Sequence, residues 1–158
     1  MASVPRGLSD FLHRYIPEIE REMFEFLPIQ EPEAFLYAPM RDYPDRGGKR
    51  FRPALVLLAC QVFDGNMKNA VRTAAAFEMF QSFAVVHDDI EDDSEMRRGK
   101  PCLHKMHGTP LSINVGDALY AKVFEILNAN RPLLGAEVAL NLIEEMVNGS
   151  RETFEGQA

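Results

Sequence analysis

Residues 68–92 read KNAVRTAAAFEMFQSFAVVHDDIED and form the longest helix that the sequence predicts. The segment contains neither Gly nor Pro, and its alanine, methionine and phenylalanine residues lie most of the way round a helical wheel. A helix that is apolar on nearly every side has to be buried among other helices. The sequence therefore predicts a central helix from about Lys68 to Asp92, packed inside a bundle.

Apolar residues recur at helical spacing on both sides of this segment, whereas the alternation typical of half-buried strands does not occur. We predict further helices over about 9–27, from the turn around Pro53 to about 64, over about 110–127, and from about 134 onward. Pro17 should kink or divide the first helix, and the last should bend or break near Gly149. Residues 41–48 and the segment after the central helix are predicted loops. The fold class is all-α, a helical bundle.

Composition and charge narrow the possible functions. The chain has 158 residues, 46% of them hydrophobic, which is enough for a domain with its own core. Acidic residues outnumber basic ones 24 to 17, which argues against a general nucleic-acid binder. Nearly all of this surplus comes from one run, namely Asp88, Asp89, Glu91, Asp92, Asp93 and Glu95. The acidity therefore indicates a local site.

The cysteine content and the absence of long apolar segments predict a cytoplasmic protein. Cys60 and Cys102 do not have the spacing of a disulfide framework or a zinc site. The first thirty residues lack the apolar core of a signal peptide, and the longest apolar run, Ala54 to Cys60, is too short to span a membrane. We expect a reducing, cytoplasmic location and no membrane span.

The acidic run ends the central helix with the spacing Asp-Asp-x-x-Asp. Asp88 and Asp92 lie one helical turn apart on the same face, so they can share a cation, with Asp89 in support. A few carboxylates that leave positions for water and phosphate suit Mg²⁺. An EF-hand does not fit, because Ser94 and Lys100 replace its required Gly and Glu. The alternative is a solvated acidic helix end, although carboxylates at the negative end of a helix dipole are destabilising unless a cation compensates them.

Two basic clusters accompany the acidic run. The segment GGKRFRP, residues 47–53, presents Lys49 and Arg52 at the start of a helix, where free backbone N–H groups favour an anion. Arg97 and Arg98 follow the acidic run, and guanidinium groups bind diphosphate oxygens well. Each cluster alone could be an ordinary charged surface. Together with a carboxylate metal site, they predict a substrate or substrates carrying two diphosphate groups.

At this point the sequence resembles a known family, the trans-prenyltransferases or polyprenyl synthetases. The motifs that carry the resemblance occur in the expected order from about residue 41 to the end of the chain. They are GGKRFRP, Gln81, HDDIED at 87–92, RRGKP at 97–101, NVGDAL at 114–119 and the closing Gly156-Gln157. The resemblance implies the isoprenoid-synthase helical bundle, usually a homodimer, and condensation of isopentenyl diphosphate with an allylic diphosphate.

The resemblance also implies roles for individual residues. Asp88 and Asp92, supported by Asp89, would bind the Mg²⁺ that holds the allylic diphosphate, and Arg97 would bind the same group. The isopentenyl diphosphate would be held by Lys49, Arg52, Gln81 and Arg98. Metal and guanidinium charge would help the diphosphate to leave, and the isopentenyl double bond would attack the allylic cation in an apolar cavity. No enzyme nucleophile is required.

Phe83 and Ala84 are candidates for the control of product length. They precede Asp88 by five and four residues, roughly 6 to 7.5 Å along the helix at its rise per residue. A lone aromatic residue followed by a small one, with no insertion in the acidic motif, is similar to archaeal-type geranylgeranyl diphosphate synthases. We therefore expect a C20 product, with the C15 farnesyl diphosphate second. The alternative is that Phe83 is an ordinary core residue.

The remaining polar residues give weaker signals. A zinc site built from His87, His104 and His107 is disfavoured because no cysteine accompanies them at a suitable spacing. We expect His104 to lie in a loop near the diphosphates. Asp117 is predicted to lie within a helix, and we expect it to form a buried polar contact.

The family pattern continues beyond Gly156-Gln157 to a second Asp-rich motif that completes the metal cluster, and this motif is absent from the 158 residues. We expect residues 1–158 to be the N-terminal part of a single polyprenyl synthetase domain. The alternative is a non-catalytic subunit that binds diphosphate or forms a dimer with a complete synthase. A terpene cyclase fits less well, because that family seldom carries the GGKRxRP segment.

Overall fold

A computed structural model describes residues 7–158 as a helical bundle with one very short β-hairpin. This confirms the all-α prediction. Strands β1 (Met96–Arg97) and β2 (Lys100–Pro101) pair antiparallel. The helices are α1 (Leu8–Glu25), a π-helical turn (Glu33–Tyr37), α2 (Ala38–Asp45), α3 (Phe51–Val62), α4 (Met67–Glu91), α5 (Leu103–His107), α6 (Thr109–Asn128), α7 (Arg131–Leu134) and α8 (Ala136–Gln157).

Helix α4 is the centre of the bundle, as its sequence predicts. It packs most extensively against α6, and also against α3 and α1. Asn66 caps its first turn, because the side-chain Oδ1 accepts a hydrogen bond of 3.1 Å from the backbone N–H of Lys68. The buried side chains of α4 lie on several sides of the helix and include Ala74, Ala75, Ala76, Met79 and Val86. Burial on several sides explains why the segment lacks a polar face.

Close packing of α6 fixes the position of the C-terminal part of α4. A Cβ atom at Gly116 of α6 would lie only 2.2 Å from Nε2 of His87, so a larger residue there would displace the His87 ring. The Nε2 of His87 also lies 3.4 Å from the carbonyl oxygen of Ile113. The end of α4 that carries the acidic run is therefore held firmly against α6.

Two local predictions were wrong, and two helices continue past residues where the sequence allows a break. The expected loop at 41–48 is helical up to Asp45, because Met40 and Tyr43 face the core three residues apart and stabilise the short helix α2. The expected loop after the central helix, which includes His104, contains the short helix α5. Helix α1 continues through Pro17 and α8 continues through Gly149, so neither helix is divided there. No helix in the described part of the chain is both long and apolar enough for a membrane crossing.

Candidate functional site

A cavity of about 260 Å³ opens beside the C-terminal ends of α4 and α8. Its polar end contains Asp88 and Glu91, and the amide nitrogen of Gln157 donates a hydrogen bond of 2.8 Å to the Glu91 carboxylate. Its apolar end contains Phe83 and Phe154. The cavity thus brings together four of the predicted residues: Gln81, Phe83, Ala84 and Asp88.

The three aspartates of the acidic run lie in different environments. Asp92 is exposed, and the side chain of Asp88 is 45% exposed, whereas Asp89 is completely buried. Oδ1 of Asp89 accepts hydrogen bonds from Nε of Arg97 at 2.9 Å and from Nη2 at 2.5 Å. Its Oδ2 accepts a hydrogen bond of 2.5 Å from the Tyr43 hydroxyl. Both oxygens of Asp89 are therefore engaged with protein partners.

The protonation states in this cluster follow from the same contacts. Burial alone would raise the pKa of Asp89, but the hydrogen bonds from Arg97 and Tyr43 outweigh it and hold the pKa below its usual range. Burial, reinforced by the hydrogen bond to Asp89, raises the pKa of Tyr43. The hydrogen bond to Asp89 also raises the pKa of Arg97. At neutral pH the cluster contains an ionised carboxylate, a charged guanidinium and a neutral hydroxyl.

The carboxylates at this helix end fit Mg²⁺ only as a partial ligand set. Within residues 7–158, no three His, Cys, Asp or Glu side chains lie close enough together to hold a metal ion. Asp88 and Asp92 lie one turn apart and are accessible. Mg²⁺ is commonly bound through one or two carboxylates, with water and substrate phosphates as its other ligands. Asp88 and Asp92 fit that mode of binding.

The GGKRFRP segment also contains both buried and exposed charges. Arg50 is buried and forms ion pairs with Glu20, at 2.9 Å, and with Glu78. Its Nη2 also donates a hydrogen bond of 2.8 Å to the Pro44 carbonyl. The neighbouring predicted ligands, Lys49 and Arg52, are exposed. Arg50 therefore fixes this loop against α1 and α4, a role that the sequence pattern does not indicate.

The two basic clusters meet in the structure. Nη1 of Arg98 donates hydrogen bonds to the carbonyl oxygens of Tyr43, at 3.1 Å, and Gly47. A Cβ atom at Gly48, whose φ is +151°, would lie 3.2 Å from the Arg98 guanidinium, so glycine allows this close approach. Arg46 adds a second connection, because its guanidinium donates to the carbonyl oxygens of Arg97 and Pro101, both at 2.8 Å. The loop and the hairpin are thus one connected basic region.

Arg52 lines a second, larger cavity between α3, α4 and α8, with a volume of about 500 Å³. Its walls are mainly apolar and include Leu55 and Phe77. Thr153 lines both cavities, so the two adjoin at this residue. Lys49 and Arg98 line neither of them.

Phe83 is both a core residue and a cavity wall. Only 5% of its surface is exposed, and its ring lies 4.7 Å from that of Tyr120 and 5.9 Å from that of Phe154, between centroids. Ala84 is half-buried and lines the same cavity. The two interpretations offered for Phe83 are therefore compatible, because one face of a packed ring borders the cavity.

Two polar residues are placed differently from the prediction. His104 lies in α5 with its side chain only 6% exposed, and its Nε2 is 3.5 Å from Oδ1 of Asp93. Asp117 is 66% exposed instead of buried, and its Oδ1 lies 3.6 Å from Nε2 of His87. Both positions depend on how neighbouring helices pack, which the local sequence does not specify.

The most informative residue that sequence reasoning missed is Tyr43. The sequence predicts a loop at 41–48, which gives no reason to expect burial of Tyr43, and no motif indicates its contact with Asp89, 46 residues further along the chain. The one available signal was the spacing of Met40 and Tyr43, three residues apart on the apolar face of a short helix.

Comparison with known proteins finds similarity to one family, both by sequence and by structure. The family model described as polyprenyl synthetase matches residues 33–158. A geranylgeranyl diphosphate synthase of Methanosarcina mazei is 35% identical over 152 residues, which cover 95% of this chain and 45% of that protein. The small subunit of a heterodimeric geranylgeranyl pyrophosphate synthase of Arabidopsis thaliana, a chloroplastic protein, is 32% identical over 166 residues, 99% of this chain and 51% of that one.

Solved structures include a close structural match. The crystal structure of a geranylgeranyl pyrophosphate synthetase from Pyrococcus horikoshii superimposes with a TM-score of 0.86 at 35% identity. The match covers 94% of this chain and 46% of that one. The chain therefore spans about half the length of the relatives it matches.

Proposed function

The chain belongs to the polyprenyl synthetase family, and on that basis we propose that the protein elongates prenyl chains by condensing isopentenyl diphosphate with an allylic diphosphate. The main support for this proposal is the lining of the cavity beside α4. The cavity beside α4 has the Asp88 carboxylate at one end and the aromatic rings of Phe83 and Phe154 at the other. A prenyl diphosphate has the same division, with a charged head that binds cations and a hydrocarbon tail that prefers apolar walls.

The charged head of the allylic substrate would lie at the polar end of the cavity. Mg²⁺ bound there through Asp88 and Asp92 would supply positive charge that stabilises the departing diphosphate. Arg97 would bind the same group, with its guanidinium held in place by Asp89. Lys49, Arg52, Gln81 and Arg98 would hold the isopentenyl diphosphate. In this proposal the basic region formed by the GGKRFRP loop and the hairpin receives the second anion.

The reaction itself needs little from the protein beyond charge and a dry cavity. The allylic C–O bond breaks as diphosphate leaves, the isopentenyl double bond forms the new C–C bond, and a proton is lost to the released diphosphate. The aromatic walls exclude water from the cation, which would otherwise be captured as an alcohol. Phe83, packed against Tyr120, would limit how far the growing tail descends. The product we propose is C20, with C15 second.

A product assay tests the proposed function. The protein is incubated with isopentenyl diphosphate, MgCl₂ and an allylic primer of five, ten or fifteen carbons, and the products are dephosphorylated and sized by chromatography. We expect elongation to C20 that is abolished by EDTA. Failure to elongate any primer in the presence of MgCl₂ would contradict the proposal for this chain.

Replacing Phe83 by Ala tests the proposed limit on chain length. Removing the ring opens the apolar end of the cavity, so the F83A protein should make products longer than the wild type. The matched control is Phe11→Ala, because Phe11 is equally buried, at 4% exposure against 5%, but does not line the cavity. Both variants lose stability, typically about 3–5 kcal/mol for such a truncation, so assays are run at low temperature. An unchanged product distribution in F83A would reject the role of Phe83.

A second candidate function is that of a non-catalytic subunit. The observation that favours it is the similarity to the small subunit of a heterodimeric synthase over 99% of this chain. In that case the protein alone would be inactive but would change the rate or product length of a complete synthase when the two are mixed. The assay above, run with and without such a synthase, separates the two functions. The homodimer and the cytoplasmic location expected from the sequence stay predictions.

A further inference from the structure

We infer that Tyr43 and Asp89 act as a positioning pair for Arg97, so that Asp89 orients the arginine that binds diphosphate instead of binding the metal ion itself. The inference rests on the proposed function, because it concerns the diphosphate site described above. It assigns a role to Tyr43 and changes the supporting role in metal binding expected for Asp89.

The first argument is the burial of Asp89. Its side chain has no exposed surface, whereas Asp88 on the same helix end is 45% exposed. A carboxylate can enter the coordination shell of a hydrated cation only if one of its oxygens is accessible to that ion. Asp89 uses one oxygen for Arg97 and the other for Tyr43. Releasing either partner would leave a buried charge or a buried hydroxyl unsatisfied, which is costly.

The second argument is the geometry of the Arg97 guanidinium. Nε and Nη2 both donate to Oδ1 of Asp89, at 2.9 and 2.5 Å, and Nη2 also lies 3.4 Å from Oδ2 of Asp88. One edge of the planar group is therefore fixed by Asp89. Nη1 has no hydrogen-bond partner in the described part of the chain, and the side chain is 33% exposed. The guanidinium thus has a fixed edge and a donor group that remains available for an anion.

The third argument is the direction of the Tyr43 hydroxyl. The backbone N–H of Leu103 donates to the Tyr43 oxygen at 3.2 Å, and the hydroxyl in turn donates to Asp89. The N–H of Leu103 occupies an acceptor position of the oxygen, so the hydroxyl proton points at the carboxylate. Tyr43 therefore fixes the second oxygen of Asp89 and with it the plane of the carboxylate that Arg97 binds.

Binding of inorganic pyrophosphate tests the inference. Calorimetric titrations with pyrophosphate at several MgCl₂ concentrations separate the affinity for the anion from the requirement for the metal. For Asp89→Asn we expect about tenfold weaker pyrophosphate binding, the loss of one charge-assisted contact. The MgCl₂ concentration for half-maximal binding should change by less than about twofold, since Asp89 is not a ligand. Asp88→Asn, in contrast, should shift the MgCl₂ requirement.

Tyr43→Phe removes only the hydroxyl and should weaken pyrophosphate binding in the same way but less, by about threefold. Tyr37→Phe is the matched control, because Tyr37 has no hydrogen bond to the acidic run, and it should bind as the wild type does. The double variant of Asp89→Asn with Arg97→Gln should bind no more weakly than Arg97→Gln alone, because Asp89 acts through Arg97.

A measurement on the ligand-free protein tests the contact between Asp89 and Arg97 directly. It therefore still tests the inference if a variant loses pyrophosphate binding because it misfolds. In the NMR spectrum of the free protein, the Nε–H of Arg97 should exchange slowly with water, and the exchange should accelerate in Tyr43→Phe and Asp89→Asn. The exposed Arg151, paired with Glu155 within α8, gives the reference for an unburied ion pair.

The possible outcomes distinguish the two proposals. An increased MgCl₂ requirement in Asp89→Asn would overturn the positioning role and restore metal binding by Asp89. Normal pyrophosphate binding by both Tyr43→Phe and Asp89→Asn would also overturn it, while leaving the proposed function intact. Absence of pyrophosphate binding in the wild-type protein would overturn both.

Discussion

The acidic end of α4 and the basic loop before α3 each combine one buried charge with exposed ones. Asp89 is buried next to the partly exposed Asp88, and Arg50 is buried next to the exposed Lys49. In both motifs, the exposed members are accessible to a ligand and the buried member has protein partners. The two motifs therefore have a common local design, although one is acidic and the other basic.

The difference lies in what the buried charge holds. Asp89 holds Arg97, the residue that we propose binds diphosphate. Arg50 holds Glu20 of α1 and Glu78 of α4, which belong to the bundle. We conclude that burial of a residue within a motif does not by itself define its role. The partner decides whether the residue orients a ligand-binding group or stabilises the fold.

Loss of Arg50 should have the largest effect on stability. The R50M variant leaves Glu78, whose side chain is only 5% exposed, as a buried charge without its cation. Breaking such a pair from one side typically costs about 3–5 kcal/mol of unfolding free energy. Urea denaturation followed by circular dichroism measures the loss.

The control for Arg50→Met is Arg52→Met, two residues along the same segment and exposed. It should change the unfolding free energy by less than about 0.5 kcal/mol, because an exposed side chain away from any buried pair contributes little. If the two variants were equally stable, the assignment of Arg50 to the fold and of Arg52 to the ligand would be wrong.

The sequence predicted the elements of the bundle better than the roles within the motifs. Helix α4 was expected over Lys68 to Asp92 and is found at Met67–Glu91. The agreement is close because a long segment without Gly or Pro that is apolar on all sides is typical of a buried helix. Helix α2 was missed, since its Pro and charged residues favour a loop and its stability comes from tertiary contacts, namely the burial of Met40 and Tyr43 in the core.

The distinction between buried and exposed aspartates could not be predicted from the motif. Asp88, Asp89 and Asp92 are chemically identical, and helical spacing alone places the first and third on one face. What buries Asp89 is contact with Tyr43 and Arg97, which lie 46 and 8 residues away along the chain. A single sequence contains no signal for such a contact unless the positions of α2 and the hairpin are known.

The Asp89→Asn variant should have an intermediate effect on stability, and that effect should depend on pH. Near neutral pH, without metal, losing the charged partner of Arg97 should cost about 1.5–3 kcal/mol of unfolding free energy. The pKa of Asp89 is lower in the folded protein than in the unfolded chain, where it is roughly 4. The ionised carboxylate therefore adds to the unfolding free energy above about pH 4, and this stabilisation is lost as the pH falls through the pKa of Asp89 in the folded protein.

The difference in unfolding free energy between wild type and Asp89→Asn should therefore shrink below about pH 4. Denaturant titrations at pH 7, 5, 4 and 3 with EDTA measure it. A difference that stays constant down to pH 3 would show that folding does not lower the pKa of Asp89, and that Asp89 therefore lacks the favourable contact with Arg97 on which the comparison with the basic loop rests.

Replacing Asp92 should have the smallest effect on stability, and the effect should have the opposite sign. Asp92 is exposed and lies just beyond the last turn of α4, where its charge faces the negative end of the helix dipole. Asp92→Asn should therefore raise the unfolding free energy of the metal-free protein by about 0.3–1 kcal/mol at low ionic strength, while weakening pyrophosphate binding in MgCl₂.

The matched control for Asp92→Asn is Asp10→Asn, which removes a carboxylate from the first turn of α1, the positive end of that helix. It should lower stability by a similar amount, and added salt should reduce both effects, because both are exposed charges. A metal-free protein destabilised by Asp92→Asn would mean that Asp92 has a protein partner, as Asp89 does. Gain of stability together with loss of binding would identify Asp92 as a carboxylate retained for its ligand at a cost to the fold.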